Sequence, residues 1–96
     1  KFAFAFFLQE QNQDLKALPL YAEALEIYQR LFQTNPDRFE PDVAMTQNNL
    51  GTLFSNLHAY DKAKKAYVEA LEIYQRLSQT NPDRFEQYVA KTQNNL

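Results

Sequence analysis

The sequence predicts an all-α solenoid, and three observations predict it. First, residues 21–50 and residues 67–96 are near copies, differing only at 22/68, 32/78, 41/87, 42/88 and 45/91. The offset is 46 residues, Tyr21 to Tyr67, within the period range that marks stacked repeats. Second, apolar residues recur at steps of three and four, the spacing of an amphipathic helix. Third, the chain of 96 residues holds one glycine, too few for a small β-protein with tight turns.

The elements follow in order. Register with the later copy predicts a helix over 2–12, although FAFAFF alternates like a strand; Phe4 stands where Leu50 and Leu96 stand, and Ala5 where Gly51 stands. A second helix is expected over 14–34, with Ala17, Tyr21, Ala24, Tyr28 and Leu31 on one stripe. Pro19 falls within it and removes one backbone donor. The Asn35-Pro36 and Asn81-Pro82 pairs are stops, because the residue before proline is pushed out of helical geometry. A third helix is expected over 40–57, buried through Val43, Leu50, Leu53, Phe54 and Leu57, with Pro41 in its first turn.

The fourth, 60–80, carries Tyr60, Ala63, Tyr67, Ala70, Tyr74 and Leu77 on its stripe, widened by Ala66, Leu71 and Ile73. Asp61 is its expected N-cap. Lys65–Glu69 and Glu72–Arg76 are spaced as ion pairs along its polar face. A fifth, 85–96, repeats the start of the third. The whole of 1–96 reads as one repeat array, expected to be a piece of a longer one.

The run Asn-Asn-Leu-Gly-x-x-Phe at 48–54, followed by Ala63, Tyr67 and Ala70, resembles the tetratricopeptide repeat. Leu50, Gly51, Phe54, Ala63, Tyr67 and Ala70 match its large–small–aromatic pattern, as do Phe4, Ala5, Leu8, Ala17, Tyr21 and Ala24. Gln47 departs from the large residue expected there. The period exceeds the usual repeat of about 34 residues by a dozen, with the surplus assigned to a lengthened second helix and the NPDRFE connector. That places the chain beside the long repeats of the family, similar to those of kinesin light chains. The resemblance implies a right-handed solenoid of antiparallel helix pairs, about two repeats and a half.

On the third helix, the side away from the core carries Met45, Asn49, Thr52 and Asn56, with Asn48 and Ser55 beside them. This row is nearly uncharged, and its amides and hydroxyls both donate and accept hydrogen bonds. Asparagine is a poor helix former, so two adjacent ones in each copy need a reason. The resemblance implies one: first helices line a concave groove in which Asn49 and Asn95, flanked by Asn48 and Asn94, bond the backbone of an extended peptide. The competing reading is that these amides bridge neighbouring helices. Of the five differing positions, only Met45/Lys91 is assigned to the groove.

A carboxylate clamp of chaperone-binding relatives is incomplete here. Asn49 and Lys91 fit it, whereas Phe2, Phe6 and Asn95 stand where it has Lys, Asn and Arg. Phe2 and Phe6, four apart, are read either as an apolar pocket for a partner side chain or as a surface covered by a preceding repeat.

Composition narrows the function. With net charge −2 there is no electrostatic case for nucleic acid or an anionic membrane. The absence of cysteine leaves no thiolate site and fits a reducing, cytoplasmic setting. His58 is the single histidine, expected in a turn with no base or ligand partner, so no catalytic residue, metal or cofactor is assigned. The expectation is a non-enzymatic module that binds a protein or peptide partner. The alternative is a spacer or self-assembly element of a larger scaffold, with association through exposed repeat ends.

Overall fold

In a computed structural model, residues 14–96 are described and form four helices: α1 (Asp14–Thr34), α2 (Pro36–Asn56), α3 (Tyr60–Thr80) and α4 (Pro82–Asn95). The helix expected over 2–12, with Phe2 and Phe6, lies outside the described residues. Each described helix packs chiefly on the next in sequence. Residue numbers fall along α3 as they rise along α2, since Glu40 meets Arg76, Gln47 meets Glu69 and Thr52 meets Tyr67. These two helices are therefore antiparallel. By contrast, α2 and α4 run the same way, with Asn48 against Asn95.

The Asn-Pro pairs end one helix and start the next at once. Asn35 is the one residue between α1 and α2 and Asn81 the one between α3 and α4, in extended backbone at φ −147° and −143°. Pro36 and Pro82 take the first helical position, where a missing N–H costs nothing and φ is already set. Asp37 and Asp83 follow in the first turn, favourable to the helix dipole. The helices expected from 40 and 85 therefore begin earlier, and Pro41 sits in the second turn instead of the first. The residues beyond the usual repeat length are helical: α1, α2 and α3 each run 21 residues.

Three further expectations on α3 are corrected. Its N-cap is Ala59, with Asp61 inside the first turn and no side-chain cap bond. Tyr60 is exposed and bonds His58 Nδ1 through its hydroxyl at 2.7 Å. Neither intrahelical ion pair forms: Glu69 accepts a 2.7 Å bond from Gln47 Nε2, and Arg76 pairs with Glu40. Both partners lie on α2, so these side chains tie helices together.

Among the described residues, two apolar clusters make the core. Ala17, Tyr21, Leu50, Leu53 and Ala66 join α1, α2 and α3; Ala44, Ala70, Tyr74 and Phe85 join α2, α3 and α4. Small residues at the crossings let the helices approach. A Cβ on Gly51 would lie 2.7 Å from the Tyr67 ring. Gln47, which departs from the repeat pattern, is buried and satisfied by Glu69.

The α2–α3 turn closes with a Schellman motif. Ala59 N–H donates to Phe54 O at 2.8 Å and His58 N–H to Ser55 O at 3.0 Å. His58 takes the left-handed place at φ 63°.

Candidate functional site

The row read from the sequence lies where α2 and α4 run side by side. Asn95 Nδ2 donates to Asn48 Oδ1 at 3.2 Å, joining the first helices of successive repeats. This supports the bridging reading for Asn48 and Asn95. The bond uses one donor and one acceptor, so the Asn48 amide protons and the Asn95 carbonyl oxygen remain. Asn49 is half-buried, and its amide makes no hydrogen bond among the described residues. One period before Asn48 the sequence has Phe2, which lies outside the described residues.

Thr52 is committed elsewhere. Its hydroxyl lies 2.9 Å from Tyr67 Oη and donates to the Asn48 carbonyl at 3.3 Å. Tyr67 must then be the donor to Thr52, which fixes the ring lying over Gly51. Thr52 thus positions the buried ring. Asn56 is exposed at the last residue of α2, and Asn94 is exposed near the end of α4.

Towards the helix N-termini the face changes character. Met45 and Lys91 are both exposed, and Lys91 Nζ lies 5.7 Å from the Tyr88 ring centroid. Tyr88 stacks on Tyr74 with centroids 5.2 Å apart and planes 20° from parallel. A hollow of about 150 Å³ opens here, lined by Asp42, Met45, Tyr74, Arg84, Phe85 and Tyr88, with Pro41 at its edge. The 42/88 difference therefore lies on this face together with 45/91, whereas the sequence reading assigns only 45/91 to it. Sequence reading left out Tyr88 and Arg84. The available signal was spacing: 84, 88, 91 and 95 step by four, three and four along one face of α4.

Burial pushes the Tyr74 hydroxyl up to about 12, and the neighbouring Tyr88 and Asp42 add to it. Tyr28 is raised by burial and then by Asp42, and Tyr21 by burial. Asp42 thus sits within the field of one tyrosine on each flanking second helix. Among the described residues no cluster of three His, Asp or Glu side chains is arranged to hold a metal ion. None of the described helices is long and apolar enough to cross a membrane.

A family model described as tetratricopeptide repeat matches residues 2–76. Comparison with curated proteins and with solved structures gives no match.

Proposed function

The chain belongs to the tetratricopeptide repeat family, and on that premise we propose that the face shared by α2 and α4 binds an extended peptide. Repeats of this family generally mediate protein–protein interactions and are not themselves enzymes. The observation that carries the reading is the unfilled amide capacity of the row. Asn49 is half-buried and has no hydrogen-bond partner among the described residues, and the Asn95–Asn48 bond leaves one donor group and one acceptor of the pair unused. A half-buried amide that makes no bond is costly unless water or a ligand satisfies it. A donor beside an acceptor suits a peptide unit, which offers the same two groups. The 46-residue period, with its surplus in helix, supports the long-repeat branch similar to kinesin light chain repeats.

A peptide-array screen with Asn49→Ala and Asn95→Ala tests this. Asn49→Ala should weaken peptide binding about fivefold, the worth of one hydrogen bond. It should not destabilise the fold, since no hydrogen bond among the described residues is lost and alanine is the better helix former. Unchanged binding in both variants would remove the groove reading.

A further inference from the structure

We infer that the trough between α1 and α3, on the side of α2 turned away from α4, is a second docking surface. Its partner is an extended segment with an apolar side chain and an acid at one end, and a base and an apolar side chain at the other. Three hollows share walls along the trough. One of about 370 Å³ is seated on Phe32, Val43 and Ile73, and one of about 290 Å³ on Leu25, Leu50 and Phe54. A third, of about 330 Å³, joins them through Val43 and Ile73 on one side and Gln47 and Glu69 on the other. Val43, Gln47, Leu50 and Phe54 step by four, three and four, so α2 gives the trough one face. Met45 and Asn48, which meet α4, lie on another. The trough is thus separate from the amide row and does not depend on it.

The two walls differ in charge. From α1 come Leu25, Gln29 and Phe32, none of them charged. From α3 come Lys62, Lys65, Glu69, Glu72 and Arg76, at steps of three and four along one face. Arg76 pairs with Glu40, and among the described residues the other four have no ion-pair partner. What remains is two cations followed by two anions, their midpoints about 10.5 Å apart along the helix. Lys62 and Lys65 border the hollow of Leu25 and Phe54, while Glu72 borders the join towards Phe32. Complementary charge selects a partner and fixes its register. The complement here is an acid beside one apolar seat and a base beside the other. Three residues of extended chain, at about 3.3 Å each, cover the distance between them.

The duplication ties this surface to one place. Of the five differing positions, 32/78 alone lines the trough. Phe32 is half-buried in the larger apolar seat, whereas Ser78 turns its hydroxyl back on the Gln75 carbonyl at 2.8 Å. The charged stripe is equally particular, since α1 carries Pro19 where α3 has Lys65.

The experiment is fluorescence anisotropy of the whole chain with three labelled peptides, all with blocked termini: Leu-Asp-Ser-Ser-Lys-Phe, Leu-Lys-Ser-Ser-Lys-Phe and Leu-Asp-Ser-Ser-Asp-Phe. The mixed peptide should bind about fivefold more tightly than either of the others, an exposed ion pair's worth, and the ratios should shrink in high salt. It should outbind even the basic peptide, which the net charge of −2 would otherwise favour. Lys62→Glu should bring the mixed and basic peptides level, and Glu72→Lys the mixed and acidic ones. Phe32→Ser, a residue the chain already carries at 78, should weaken all three. Asn49→Ala should change none of them. A basic peptide as tight as the mixed one, or ratios untouched by both charge variants, overturns the inference. Loss of binding in Asn49→Ala also overturns it, because the peptide would then lie on the α4 face. So does a mixed peptide that fails to bind. If the chain then dimerises and Phe32→Ser returns it to a monomer, the trough is an interface between copies instead.

Discussion

At the scale of single residues, Gly51 and His58 sit under opposite constraints. Gly51 has no room for a side chain, because the Tyr67 ring over it is held by the Thr52 hydroxyl. Gly51→Ala gains about 1 kcal/mol of helix propensity and loses about 1–3 kcal/mol to overpacking. The net expectation is a loss of about 1 kcal/mol, read from the urea midpoint. His58 has room but the wrong backbone, with φ at 63°. His58→Gly should stabilise by up to about 1 kcal/mol, while a β-branched His58→Val should lose at least as much; thermal melts of both variants check the pair.

Tyr74 supplies a third residue-scale expectation, in pH. Its folded value of about 12 lies above the ordinary 10, so the folded state holds its proton longer. That contribution is complete below pH 10 and is lost as pH rises from 10 to 12. Alkaline denaturation should remove roughly 2–3 kcal/mol of stability across that window, and Tyr74→Phe should flatten it.

At the scale of elements, the helices were legible where apolar spacing is regular and illegible at their starts. The stripe Ala63, Tyr67, Ala70 and Tyr74 is buried as its period implies. The NPDRFE segments were harder to read. A proline that forbids helix before it also favours helix after it, and periodicity has no signal in the first turn. The polar face of α3 was misread because spacing alone made Lys65–Glu69 and Glu72–Arg76 equivalent to interhelical partners. A buried Gln47 and a nearby Glu40 compete better for those groups. In the candidate site, the amide row was visible from composition. The aromatic hollow was not, because Tyr74, Phe85 and Tyr88 come from two helices and meet only once α4 is folded back onto α3.

At the scale of the molecule, the main packing among the described helices is between consecutive ones, so stability is close to a sum of junction terms. The Asn95–Asn48 bond is unusual in linking two helices that are not consecutive. Being exposed, it should be worth about 0.5–1 kcal/mol. A double-mutant cycle with Asn48→Ala and Asn95→Ala, read by chemical denaturation, should return a coupling of that size. A coupling near zero would mean that the amides meet without holding the repeats together.

The single-residue joints at Asn35 and Asn81 have one further consequence. A helix advances by about 100° per residue, so a joint with no slack transmits angular phase from each helix to the next. One inserted residue at Asn81 would turn the face of α4 by more than a quarter of a revolution and swing Tyr88, Lys91 and Asn95 away from α2 together. The 46-residue spacing is thus a gear ratio: substitutions retune single teeth, as at 42/88 and 45/91, but a change of length throws the whole train out of mesh.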